Sequence, residues 1–161
     1  MTEKLFTERF GIVSAFEPKD WEAGGDSESI KIDKYRHLTF IFTFGAITGD
    51  AVLKVFSGVT AAKTTSTLFK YRLSDADYKA TSNDQFGDET TLAVAADGLT
   101  LTAATYDHRT LVVEVDVNAL TDTHVYVTAE LSAAASVALA SAVAILSDPR
   151  YLANDMPTAV D

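Results

Sequence analysis

The sequence predicts an all-β fold: an antiparallel sandwich, jelly-roll-like or Ig-like, of about eight or nine strands with extended N- and C-terminal arms. Three observations carry the prediction. First, Arg36 to Gly58, RHLTFIFTFGAITGDAVLKVFSG, opens with strict alternation of Leu38, Phe40, Phe42 and Phe44 against Thr39, Ile41 and Thr43. Successive side chains of a strand point to opposite faces, so four large apolar groups share one face; a helix would scatter them. Second, turn signals recur about every 8 to 12 residues, the spacing of short strands in a sandwich. Third, Asp97-Gly98 between two β-rich runs is the strongest short-range hairpin signal in the chain.

Taken in order, residues 1–11 carry alternating charge with Phe6 and Phe10 and read as an N-terminal arm. Ile12 to Phe16 reads as a short strand. Glu17 to Ser29, with Pro18, Gly24 and Gly25, reads as a loop, and Ile30 and Ile32 begin an extended segment. Gly45 to Asp50 supplies turn residues, so the Arg36 to Gly58 segment is expected to be a hairpin. Thr67 to Leu73 is the next strand, after a loop over Val59 to Ser66. Ser74 to Glu89 is the longest irregular region. Thr90 to Ala96 and Leu99 to Thr105 flank the Asp97-Gly98 turn as a second hairpin. Asp107-His108-Arg109 is a turn, and Thr110 to Val117 alternates again. Asn118 to Thr123 is a corner with room for one helical turn, and Val125 to Leu131 is a strand.

Ala133 to Leu146 fits two descriptions. Its alanines favour a helix. Yet Val137, Leu139, Ser141, Val143 and Ile145 alternate with Ala138, Ala140, Ala142, Ala144 and Leu146. We read a strand whose alanine-lined face suits close packing against another sheet or subunit. Asp148-Pro149 ends regular structure. The resulting organisation is an arm over 1–11, one sandwich domain over 12–148, and a C-terminal arm over 149–161.

Composition bounds the function. A chain of 161 residues fits one domain, with 47% hydrophobic and 22% charged residues. At that size it buries roughly 70% of its unfolded surface, enough for a core without staples. There is no cysteine, hence no disulfide, thiolate metal site or cysteine nucleophile. The net charge of −10 repels phosphate backbones, and no Lys/Arg cluster offsets it, so no nucleic-acid partner is expected. The opening MTEKLFTERFG lacks the apolar core of a signal peptide, and the most apolar run, Val137 to Leu146, is too short to span a bilayer. Synthesis in the cytoplasm and no membrane partner are the expectation.

No constellation of chemical residues stands out. His37, His108 and His124 sit at strand ends or turns without ligand spacing. Asn83, Asp84, Asp88 and Glu89 offer hard oxygens for calcium, but off the EF-hand spacing. No G-x-S-x-G elbow or phosphate-cradling glycine loop is present. We therefore expect no catalytic residue, no metal, no cofactor and no enzymatic activity. Trp21, Phe69 and Tyr71 suit either a sugar-stacking platform or the core, and burial preference favours the core. In ILSDPRY, Ile145 to Tyr151, the Arg150 and Tyr151 pair is of the type enriched at interface hot spots. The alternative there is Arg150 folding back onto Asp148.

Several stretches resemble one family. TERFGIVSAFEP at the N-terminus, HLTFIFTFGAITGDAVLKVFSG, FKYRLS at Phe69 to Ser74, TLVVEVDVNALTD at Thr110 to Asp122 and the closing AVAILSDPRY are similar to structural proteins of tailed-bacteriophage virions, of the head decoration or cement type. The resemblance covers most of the chain in order and rests on strand and turn patterns. It implies a β-sandwich without enzymatic activity, located on the capsid surface. It also implies the major capsid protein as partner, and a trimer or another symmetric homo-oligomer. The expected partner interface is Phe6, Phe10, Arg150, Tyr151 and Leu152 on the two arms. A carbohydrate-binding, adhesin-like module of a tail fibre and a tail or connector subunit are the competing readings.

Overall fold

In the computed structural model, which describes residues 5–78, 80 and 84–150, two antiparallel sheets pack face to face around one apolar core. The elements run α1 (Phe6–Arg9), β1 (Gly11–Asp20), β2 (Gly25–Asp26), β3 (Ile30–Lys31), β4 (Tyr35–Ile47), β5 (Ala51–Gly58), β6 (Thr65–Ser66), β7 (Lys70–Leu73), β8 (Thr90–Thr91), β9 (Leu99–Leu101), α2 (Ala103–Tyr106), β10 (Thr110–Asp116), the 3₁₀ turn η1 (Val117–Ala119), β11 (Tyr126–Leu131) and β12 (Ala138–Pro149). The first sheet has the order β1-β12-β4-β10-β7-β8. The second has β2-β11-β5-β6, with β3 also on β11 and β9 on β5. The chain is an all-β sandwich.

β4 is the long central strand of the first sheet, and its alternation does what the sequence requires. Leu38, Phe40, Phe42 and Phe44 are buried, as are Leu111, Val113 and Val115 of neighbouring β10. On its other side β12 presents alanines at the matching positions: Ala140 pairs with Phe44, Ala142 with Phe42 and Ala144 with Phe40. Small residues beside large ones leave room for the rings on the inner surface. Leu53 and Val55 of β5 and Val127, Ala129 and Leu131 of β11 complete the core from the second sheet.

Several sequence expectations are corrected. Arg36 to Gly58 is not a hairpin: β4 pairs with β12 and β10, and β5 pairs with β11, β6 and β9 in the other sheet. Alternation reports which face a side chain takes, not which strand is its neighbour, and two runs with inward rows cover each other best from facing sheets. The connection is an arch whose Gly49 approaches the 135–136 backbone so closely that a Cβ there would meet Ser136 N at 2.5 Å. The Asp97-Gly98 hairpin fails in the same way. Gly98 does take a left-handed turn at φ +75°, but β8 pairs with β7 and β9 with β5. Ala103 to Tyr106 is helical instead of extended.

The loop expected over Glu17 to Ser29 is partly strand, because β1 runs on to Asp20 through two bulges and β2 follows. β7 begins at Lys70, later than the expected Thr67. Within the expected extended N-terminal arm, Phe6 to Arg9 forms one helical turn. The strand over the alanine-rich run is present from Ala138 on, and it continues through Pro149, which pairs with Tyr35. Its alanines face the core, so Leu139 and Val143 face outward.

Candidate functional site

Register brings the start of β1 and the end of β12 to one end of the first sheet. Gly11, where β1 starts, lies opposite Leu146, and Pro149, where β12 ends, lies opposite Tyr35. The same end holds the close of β10, with Asp116 opposite His37, and then η1. Here a cleft of about 290 Å³ opens between the residues after β3, the η1 corner and the end of β12. Ile32, Val117 and Leu120 supply an apolar floor, and Asp33, Asp122, His124 and Arg150 supply charged and polar walls.

Arg150 is held by the backbone. Its N–H donates to the Lys34 carbonyl at 2.8 Å and its Nε to the Tyr35 carbonyl at 3.2 Å. The expected alternative, Arg150 folded onto Asp148, is replaced by this clamp. Asp148 takes φ +54°, a left-handed conformation that aspartate tolerates better than most residues. So held, Arg150 lines the cleft. Burial pushes the Tyr35 phenol pKa up.

His124 is fixed by a relay of hydroxyls. Its Nδ1 is 2.8 Å from Ser57 Oγ, and Thr67 Oγ1 donates to that same Oγ at 3.0 Å. The His124 N–H donates to the Thr121 carbonyl, closing the corner. Ser57 is only 2% exposed, so this serine–histidine contact orients the imidazole and does not present a nucleophile to solvent. The cleft thus juxtaposes a guanidinium and an imidazole with two carboxylates over an aliphatic floor, an arrangement that takes a small polar group able to both donate and accept hydrogen bonds. Sequence reasoning weighed His124 only as an isolated histidine and passed over Asp33 and Asp122, because the three share a cleft only in space.

Of the expected interface residues, Phe6, Phe10 and Arg150 lie at this end, while Tyr151 and Leu152 fall outside the described residues. Phe6 is exposed and its ring meets that of Phe10 at 4.5 Å. Trp21, Phe69 and Tyr71 do not form a common platform. Trp21 is buried at the other end, edge-on to Phe16, with Nε1 donating to the Glu17 and Ala140 carbonyls, each at 3.2 Å. Phe69 is buried in the core and half-buried Tyr71 packs edge-on beside it.

The 74–89 loop is tied down within its described part. Arg109 donates to the Ser74 and Asp75 carbonyls at 2.9 and 3.2 Å, and Lys70 Nζ lies 2.7 Å from Glu89. A hydrogen bond from Lys70 holds the Glu89 carboxyl below the usual range. Among the described residues no three His, Asp or Glu side chains converge as metal ligands, and no helix is long and apolar enough to cross a membrane. His37 stands 3.6 Å from Glu114 and His108 stands 3.8 Å from Asp107, with His108 Nδ1 buried and unbonded.

No protein-family model matches this chain, and no curated protein matches it. A prophage-derived protein is a distant structural neighbour. The crystal structure of the SPBc2 prophage-derived protein YomS aligns over 84% of this chain and 94% of that one, at 11% identity and a TM-score of 0.42.

Proposed function

We propose that this chain is a non-enzymatic virion structural protein that binds the major capsid protein lattice of a tailed phage as a decoration, or cement, subunit. The observation that carries the reading is the position of the two chain ends. Exposed Leu5 and Phe6 precede β1, and the clamped Arg150 follows β12, at one end of a stiff sandwich. Phe and Arg are among the residue types enriched at protein–protein interfaces, and both occur at this end. Many copies on a repeating lattice then bind by avidity, so no single contact need be strong. The resemblance of the N-terminal, Arg36 to Gly58 and C-terminal stretches to virion proteins supports the same reading.

Cosedimentation of the full chain with empty heads of the phage that encodes it tests the proposal. Pelleting with heads and not with free capsid subunits is expected; no recovery with heads overturns it. Imaging of labelled virions separates the capsid from a tail or connector location.

The cleft favours a second reading, a glycan-binding module of a tail fibre, because carboxylates and hydrogen-bond donors converge over about 290 Å³. Against it, the described residues lining the cleft include no Phe, Tyr or Trp ring on which a sugar would stack. A glycan array separates the two, since the cement subunit shows no sugar specificity.

A further inference from the structure

We propose that the outer face of the first sheet, centred on Val143, is the surface through which two copies of this chain pair face to face. The inference stands apart from the virion reading and rests on where charge is missing. Gly11 to Phe16, Leu38 to Ile47 and Ala138 to Ser147 contain no charged residue, in a chain with 13 basic and 23 acidic ones. These three stretches lie side by side in adjacent strands, β1, β12 and β4, whose charged residues stand only at the strand ends.

Their inward side chains form the core, and their outward ones form rows. Ile12, Ile145 and Thr39 line up in one row, which meets Glu114 on reaching β10; Ser14, Val143, Ile41 and Val112 line up in the next. Ile12 is 44% exposed, Val143 42% and Leu139 39%. Leu139 lies over Gly45, where a Cβ would come within 3.0 Å of its own, so the backbone there leaves a seat for the leucine. Aliphatic ridges alternate with the hydroxyls of Ser14, Thr39 and Ser141. The surface resembles one inner face of a sandwich more than a solvated sheet.

A second copy fits this face better than a charged partner does. Its uncharged rows offer no group to pair with a buried ion, whereas an identical uncharged face is its own complement under two-fold symmetry. Three strands about 4.8 Å apart and about nine residues long at about 3.3 Å each span roughly 430 Å². That is about half of the roughly 800 Å² per partner of a standard interface, the size of a weak, concentration-dependent dimer. Pairing through the edge instead is obstructed, because β1 is bulged on both sides of Phe16 and carries Pro18.

Sedimentation velocity of the full chain across a micromolar to several-hundred-micromolar series, on wild type, Val143→Glu, Ile12→Glu and the exposed second-sheet control Thr100→Glu, tests the proposal. Circular dichroism establishes that each is folded. A closed dimer is expected for wild type and the control. Either glutamate on the face raises the dissociation constant on the order of a hundredfold, since it buries an unpaired charge in each copy. Added NaCl tightens the wild-type dimer by screening two acidic bodies. A monomeric wild type at every concentration overturns the proposal and gives the face to another occupant, such as a virion partner. Dimers that survive both folded glutamate variants overturn it, and so does a closed trimer.

Discussion

Phe42 stands opposite Ala142 in the central strand pair, and Phe16 stands opposite the same alanine from β1. The two rings approach to 5.5 Å between centroids, and Ala142 is the small residue beneath them. This explains why a strand with so many alanines sits beside the most aromatic strand of the chain. Ala142→Leu is therefore expected to destabilise the fold by about 1–3 kcal/mol through overpacking. The reciprocal change, Phe42→Ala, is expected to cost about 3–5 kcal/mol. Urea unfolding of both variants checks the pair.

Gly98 holds a left-handed turn at φ +75°, where a Cβ would meet Val52 Cγ1 and Lys54 Cγ at 2.7 Å and the Leu53 carbonyl oxygen at 2.8 Å. Gly98→Ala combines an unfavourable φ with a backbone collision. A loss of about 1–3 kcal/mol is expected. Thermal unfolding shows it as a lowered Tm, and an unchanged Tm contradicts the geometry.

Burial holds the Tyr106 phenol protonated, with charge on Tyr71 adding to the effect, and pushes its pKa up to about 12 from an ordinary 10.0. The folded chain keeps a proton that the unfolded chain releases near pH 10. This contribution is whole below pH 10 and is lost as pH rises toward 12. It amounts to roughly 2–3 kcal/mol. Burial raises the Tyr35 pKa in the same direction. Tyr106→Phe is expected to flatten the alkaline decline in unfolding free energy, and denaturant titrations at pH 9 and pH 11.5 compare the two chains.

Phe6 and Arg150 separate binding from stability. Phe6 is 54% exposed, and Arg150 is exposed, its side chain donating one hydrogen bond, to the Tyr35 carbonyl, among the described residues. Phe6→Ala with Arg150→Ala is expected to shift stability by no more than about 1 kcal/mol. If the two arms carry the capsid contact, the double variant loses cosedimentation with heads at unchanged secondary structure. Full retention of pelleting removes these residues from the contact.

How far the fold was legible depends on range. The inward rows of β4 and β10 follow from period-two alternation, a property of neighbouring residues, and Leu38, Phe40, Phe42, Leu111, Val113 and Val115 are buried accordingly. The Asn118 to Thr123 corner, with its single 3₁₀ turn, was legible for the same reason, since Asp116 caps it two residues away. Both expected hairpins were misread. Gly49 and Gly98 are genuine turn residues, but a turn bends the chain without choosing the sheet that the next strand joins.

The candidate surfaces divide along the same line. Phe6, Phe10 and Arg150 could be named in advance because aromatic and arginine residues near chain ends are visible in the string. The hydroxyl relay from Thr67 through Ser57 to His124 and the meeting of Asp33 with Asp122 could not, because each joins residues far apart in the chain. Local pattern was enough for the β class and the core-facing rows. The packing of distant strands was needed to make β1, β12 and β4 neighbours, to turn the alanine face inward and to bring the start of β1 and the end of β12 to one end of the sheet. Side-chain alternation is set locally by backbone geometry, whereas strand order is set by which distant apolar faces cover one another best.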